Sequence, residues 1–175
     1  RDHSPRAFAL VVLLVFSGAR VSEVLGADIS DLGTSMGERM LVVTRKGGAQ
    51  AELPLRPAAL VGGAVDAYLA TRTDDAAAAG TGPIFLDRYG RALTRQAAGN
   101  LVKEIGTRAG CPLLTPHGLR HAFATLGYLA GATKDELQRW LGHADPGTTA
   151  RYIARAQDFA SHPGDKIARL LGLPI

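Results

Sequence analysis

The densest chemistry in the chain lies in "TPHGLRHAFAT", residues 115–125, where His117, Arg120 and His121 fall within five positions. Thr115 and Pro116 read as the N-cap and first residue of a helix. Leu119, Phe123, Leu126 and Ala130 recur at helical spacing and are expected to form its buried stripe. His117 and Arg120 are three apart, so they share another face, one turned outward at the helix N-terminus. Unpaired backbone N–H groups and the helix dipole favour an anion there, and a phosphate is the natural guest. An ordinary solvated first turn fits the same residues. Zinc fits them poorly. His117 and His121 have the four-residue spacing of a zinc-binding helix, but Gly118 stands where a glutamate base would follow. Arg120 between them would repel a cation, and no cysteine or carboxylate cluster supplies further ligands. No metal and no cofactor is expected.

Three other segments carry polar groups that are individually unremarkable. In "SGARVSEVLGADISDL", 17–32, Arg20 and Glu23 are spaced as a helical ion pair. In "TRKGG", Lys46 sits at a turn. In "LGHADPGTTARY", 141–152, His143 follows a helix end and Tyr152 comes nine residues later. Taken alone, His143 reads as a C-cap and Tyr152 as a packed aromatic.

The elements that must hold these groups are mostly helical. A helix is expected from Pro5 to about Phe16, broken by Ser17-Gly18, with a short second helix on "ARVSEVLG". Two β-prone runs in 40–55 flank Lys46-Gly47-Gly48 and read as a hairpin. Pro57 opens a helix through about Tyr68. "TDDAAAAGTG", 73–82, reads as a low-complexity surface loop, the least ordered part of the chain. "PIFLDRYGRAL" reads as an extended piece with a turn at Tyr89-Gly90, followed by a helix from Thr94 to about Ala109. Thr133 and Glu136 form a capping box for another helix, which Gly142 ends. Asp145-Pro146 starts one more, carrying Tyr152. In the tail, 161–175, Ile167, Leu170 and Leu171 lie at helical spacing after Pro163-Gly164. The fold class is α+β, mainly α, with one small antiparallel sheet.

Composition bounds the rest. The chain has 175 residues, 46% of them hydrophobic and 21% charged, which is ordinary for a globular domain. Its single cysteine, Cys111, allows no intrachain disulfide and favours a reducing, cytoplasmic setting. The apolar run "AFALVVLLVF" is too short to span a bilayer, so no membrane partner is expected. The formal charge of +4 permits nucleic-acid binding without requiring it. Among the cations only Lys46, Lys103, Lys134 and Lys166 are lysines; arginine suits phosphate through its bidentate fork, although abundant alanine, glycine and arginine also follow from a GC-rich genome.

Read in order, "SGARVSEVL", "TRKGG", "HGLRHAFAT" and "LGHADPGTTARY" resemble the signature blocks of the tyrosine recombinases, the phage-integrase family. The resemblance runs from about Arg6 to Ala154. It implies a helical catalytic domain over 1–160, with the tail 161–175 docking on its own domain or on a neighbouring protomer. The separate N-terminal core-binding domain usual in the family is not in this chain. Carried onto this sequence, the catalytic set is Arg20, Lys46, His117, Arg120, His143 and Tyr152, with Glu23 and His121 in support. The implied activity is site-specific DNA strand cleavage and rejoining through a 3′-phosphotyrosyl link, without metal or ATP. The implied partners are double-stranded DNA and, on paired sites, a homotetramer, with a monomer when free. The implied location is the nucleoid of a bacterial cytoplasm. Arg45, Arg91 and Arg95 are candidate DNA contacts, because they cluster at turns and a helix start. Two alternatives stay open: a type IB topoisomerase, which nicks and reseals without exchanging partners, and a degenerate DNA-binding regulator.

Overall fold

A computed structural model describes residues 4–142 together with Ala150, Ile153, Ala154 and Gln157. The chain divides into two compact units, 1–120 and 121–175.

The first unit is built on helix α1, Pro5–Ser17. Proline at its start costs no hydrogen bond, because the first-turn N–H groups have no intrahelical acceptor. Its long run of leucine and valine is buried on most sides: Ala9, Leu10, Leu13 and Leu14 are all within the core. Each fully buried leucine removes enough apolar surface from water to contribute about 1.5–3 kcal/mol. α1 ends at Gly18, whose φ of 63° is the left-handed C-cap conformation that glycine adopts without a Cβ clash; its N–H donates to the Leu14 carbonyl. The short helix α2, Val21–Leu25, follows, then a 3₁₀ turn at Ile29–Asp31.

Three antiparallel strands come next in the order β1-β2-β3: β1 Leu32–Ser35, β2 Glu38–Thr44 and β3 Gln50–Pro54. The expected hairpin is β2–β3, in the register Leu41↔Leu53 and Val43↔Ala51. Leu41, Val43 and Leu53 project from one face into the core, as the two-residue period of a strand demands. β1 was not expected: "LGTS" has a glycine and two hydroxyl residues and little of a buried strand's apolar character.

Helix α3, Ala58–Leu69, packs extensively on α1. The loop expected over 73–82 contains a one-turn helix, α4, Asp75–Ala78. Asp74 caps it, accepting from the Ala77 N–H at 3.0 Å, and alanine's high helix propensity does the rest. Ile84 and Phe85 then enter the core, where the Phe85 ring stacks on Tyr68 with centroids 5.4 Å apart. Helix α5, Arg95–Arg108, is capped by Thr94 as expected.

Helix α6, Pro116–Leu129, runs from the first unit into the second. Thr115 caps it, its hydroxyl accepting from the Gly118 N–H at 2.9 Å. Its buried stripe is not the expected one. Leu119, Arg120 and Ala124 are buried, Phe123 is half-buried, and Leu126 (59% exposed) and Ala130 face solvent. Arg120, expected on the outward face, is among the buried residues and donates to a backbone carbonyl. In the second unit, α7, Lys134–Leu141, starts at the predicted capping box: Thr133 and Glu136 exchange hydrogen bonds, and Gly142 ends the helix. Leu137 and Leu141 form a small core with Ala124 and Ile153. Among the described residues, no helix is long and apolar enough to cross a membrane.

Candidate active site

Arg20 is the N-cap residue of α2. Its backbone N–H donates to Glu23 Oε2 at 2.8 Å, and its guanidinium donates to Glu23 Oε1 at 2.7 Å. Both oxygens of a buried carboxylate (6% exposed) are thus committed to one arginine. The arginine side chain itself stays about one-third exposed, at 35%. Glu23 therefore holds the stem and one side of Arg20 while leaving part of the guanidinium toward solvent. A buried carboxylate is costly unless paired and hydrogen-bonded, and here it is both.

Arg120 is only 4% exposed. The expectation that it faces outward beside His117 is corrected: His117 is exposed, and Arg120 is not. Arg120 Nη1 donates to the Gly18 carbonyl oxygen at 2.6 Å across 102 positions of sequence. That carbonyl sits where α1 has ended in the left-handed turn, two residues before Arg20. The C-cap glycine does two jobs at once. It stops α1, and it presents a carbonyl, one with no further helical turn to serve, to a cation on α6. Ser17 braces the same turn, its hydroxyl donating to Leu13 O at 2.7 Å and accepting from the Ala19 N–H at 3.2 Å. One short segment, 17–23, thereby carries Arg20 and its carboxylate partner and anchors Arg120. Nothing in the local sequence marks Gly18 as part of the site beyond the Ser17-Gly18 helix break immediately before Arg20.

Lys46 lies at the exposed β2–β3 turn. The turn is closed by Arg45 N–H to Ala49 O at 2.8 Å and Gly48 N–H to Arg45 O at 3.0 Å. Arg45 is half-buried at its base. His117 is exposed in the first turn of α6, and His121, half-buried, begins the second unit. His143 and Tyr152 lie outside the described residues, as do the rest of the block 143–149 and the tail 161–175. Ile153, the neighbour of Tyr152 in sequence, is buried against the core of the second unit. Gln157 Nε2 donates to the Tyr128 hydroxyl at 2.8 Å in that unit.

The three arginines chosen as DNA contacts differ in state. Arg95 is exposed in the first turn of α5. Arg91 is exposed, but its Nε and Nη2 both donate to Asp87, at 3.0 and 2.9 Å. Arg45 is the least exposed of the three.

Two fixed guanidiniums, with a lysine and a histidine on exposed turns, constitute cationic chemistry suited to a phosphate ester. Comparison with known proteins points the same way. The description of the phage integrase family matches residues 2–158. The tyrosine recombinase XerD of Mycobacterium tuberculosis (strain ATCC 25618 / H37Rv) is 40% identical over 148 residues, covering 82% of this chain and 46% of the relative. The tyrosine recombinase XerC of Mycobacterium sp. (strain KMS) is 39% identical over 145 residues, 82% of this chain and 47% of the relative. The chain thus spans about half the length of these curated relatives. Among solved structures, the XerH site-specific recombinase bound to palindromic difH substrate, a post-cleavage complex, superposes with a TM-score of 0.74 at 25% identity. That match covers 91% of this chain and 45% of the XerH chain. The XerA recombinase superposes with a TM-score of 0.71, also at 25% identity, over 85% of this chain and 51% of that one.

Proposed function

The chain belongs to the phage integrase family, and from that premise we propose that it is the catalytic part of a site-specific DNA recombinase. Its substrate is a phosphodiester of double-stranded DNA, and its reaction is transesterification. The observation that carries this reading is the Arg120–Gly18 bond, which ties the arginine of α6 to the segment bearing Arg20.

A phosphodiester is already anionic, and its transition state spreads more charge onto the non-bridging oxygens. Arg20 and Arg120 stabilise that charge, and His143 adds a donor. Removing one such preorganised donor typically costs about 10²–10³ in rate. Glu23 and the Gly18 carbonyl supply the preorganisation, so little reorganisation is needed when the charge develops. Tyr152 is the nucleophile. Its phenol ordinarily ionises near about pH 10, so the positive field of the arginines and a base are needed near neutrality. His117 takes the phenolic proton as the Tyr152 oxygen bonds to phosphorus. The bond from phosphorus to the 5′ oxygen breaks, and Lys46, on its exposed turn, protonates that leaving oxygen. The product is a 3′-phosphotyrosyl link and a free 5′ hydroxyl. Attack by a 5′ hydroxyl from another strand reverses the step, conserving the bond energy without ATP. No metal is required, because protein cations supply the charge. His121 supports the site from the adjacent turn of α6. Arg45, Arg91 and Arg95 contact the DNA backbone or grooves outside the site.

Residues 1–160 form the catalytic domain in this reading, and strand exchange occurs in a tetramer of identical protomers on paired sites. The test is covalent capture. A duplex carrying a candidate recombination site, nicked beside the cleavage point so that the released fragment diffuses away, should accumulate a protein–DNA adduct on a denaturing gel. Tyr152→Phe should abolish the adduct and leave DNA binding intact. An adduct that persists in the Phe variant assigns the nucleophile elsewhere. Binding of the site with no adduct by the wild-type chain favours a non-catalytic regulator.

A further inference from the structure

The first unit carries a second cationic feature that the proposed chemistry does not use. It lies at the opposite end of α1 from Arg20. α1 has 13 residues, so the two ends are separated by about 20 Å at 1.5 Å per residue. At the far end an open cleft of about 490 Å³ is lined by Ser4, Arg6, Arg72, Thr73 and Arg88, with Asp74 and Asp87 also on its wall.

Its charges do not cancel evenly. Asp74 is committed to Arg72, accepting from Nε at 2.8 Å and Nη2 at 2.7 Å. Arg72 is only 5% exposed and donates its remaining Nη to the Pro83 and Ile84 carbonyls, so it is a structural post. Asp87 is committed to Arg91. Arg6 is aimed by a bond from Nη1 to the Leu86 carbonyl at 2.8 Å. Neither Arg6 nor Arg88 has a carboxylate partner among the described residues. What remains is two uncompensated guanidiniums beside serine and threonine hydroxyls.

The rim of the cleft is a stiff knuckle, residues 85–93. Leu93 N–H donates to Phe85 O at 2.8 Å, and Asp87 N–H donates to Arg91 O at 2.7 Å. Asp87 Oδ1 also accepts from the Tyr89 and Arg91 N–H groups, at 2.7 and 3.1 Å. Gly90, with φ of 76°, makes the reversal that a side chain would strain. Tyr89 at the tip is 65% exposed, with the Arg88 and Arg91 guanidinium carbons 4.9 and 5.1 Å from its ring centroid. The ring holds Arg88 by a cation–π contact, which lowers the entropy that a long side chain loses when it binds a ligand.

We infer that this cleft and its Tyr89 knuckle form a seat for a backbone phosphate of duplex DNA, distinct from the Arg20–Arg120 site. The inference rests on the proposed DNA substrate. Such a contact positions the duplex and reads no base.

The test is fluorescence anisotropy with a labelled duplex, measuring affinity across salt for the full chain and for Arg88→Ala, Tyr89→Phe and Tyr89→Ala. Each phosphate contact contributes about 0.9 to the slope of log affinity against log salt. Arg88→Ala should therefore flatten the slope by about 0.9, so that raising salt from about 50 to 200 mM weakens binding about 3.5-fold less than in the wild type. Tyr89→Phe, which keeps the ring, should match the wild type, and Tyr89→Ala should fall between. An unchanged slope and affinity in Arg88→Ala and Tyr89→Ala, with the wild type binding, overturns the seat and leaves the proposed function standing. No duplex binding by the wild type overturns the DNA reading and the seat together. If inorganic phosphate binds in an Arg88-dependent manner while the duplex slope is insensitive to Arg88, the cleft holds a free anion and the DNA assignment is wrong.

Discussion

Gly18 is the residue on which the most depends for its size. Its left-handed backbone ends α1, and its carbonyl receives Arg120. Alanine in that conformation costs about 1–2 kcal/mol, while asparagine adopts it more readily. Gly18→Ala should lower stability by that amount and slow single-turnover adduct formation beyond what the loss of folded protein explains, because the carbonyl no longer meets Arg120 squarely. Gly18→Asn should recover most of both. Denaturant midpoints and adduct rates, measured on folded protein, separate the two effects. Equal adduct rates in wild type and Ala variant would reduce Gly18 to a helix stop. The same logic explains why Glu23 is buried: a carboxylate that spends both oxygens on Arg20 is a mount for the arginine, whereas an exposed i,i+3 pair on a surface helix contributes little.

At the level of elements, the turn between α5 and α6 sets where His117 and Arg120 begin. Gly106, near the end of α5, accepts through its carbonyl from Cys111 N–H at 2.6 Å, and Leu114 N–H donates to Cys111 O at 3.0 Å. A Cβ on Gly106 would lie 2.5 Å from both the Cys111 carbonyl oxygen and Leu114 Cβ. Those are closer than atoms pack, and one of them is backbone. Gly106→Ala should therefore destabilise the protein by about 1–3 kcal/mol, the usual cost of overpacking, despite alanine's better helix propensity. Urea denaturation checks this. A stabilised variant would mean that the 109–115 turn yields freely, and α6 would then be less firmly placed than its cap suggests.

For the whole molecule, acid sensitivity in the first unit comes from the carboxyls of Glu38, Asp74 and Asp87, all held below the usual carboxylate range, with Asp74 the most depressed. The hydrogen bonds from Arg72 outweigh the opposing effect of burial and, with the Ala77 N–H that Asp74 caps adding to them, hold the Asp74 carboxyl well below the usual carboxylate range. A carboxyl depressed in the folded state contributes stability above its unfolded pKa and loses it as pH falls through the folded value. The stability gap between wild type and Asp74→Asn should be constant above about pH 5 and shrink as the pH drops through about 4 and below. Urea midpoints across that range test it, and a gap that widens in acid would contradict the assigned direction. At the scale of assembly, the tail 161–175 lies outside the described residues, and we propose that it docks on a neighbouring protomer. Deleting 162–175 should then impair assembly on paired sites more than binding to a single site. Equal performance in native gels would make the tail a local cap.

The amino-acid sequence by itself determined the helix boundaries, because caps and breakers act locally. Pro5, Thr94, Thr115, Thr133 and Gly142 mark ends where the structure has them. It also determined the β2–β3 hairpin and the membership of the family, since ordered motif blocks survive without knowledge of contacts. It did not determine β1, whose residues lack β character and pair only because β2 offers an edge, nor α4, whose alanines read as low complexity until Asp74 capped them. Least legible was the orientation of Arg120. Periodicity put it on an outward face with His117, because an arginine has no local reason to be buried. Only the tertiary structure supplied that reason: a backbone carbonyl 102 positions away, freed by the left-handed end of α1, which compensates the burial of the charge. Spacing along one helix cannot encode a partner that another helix brings.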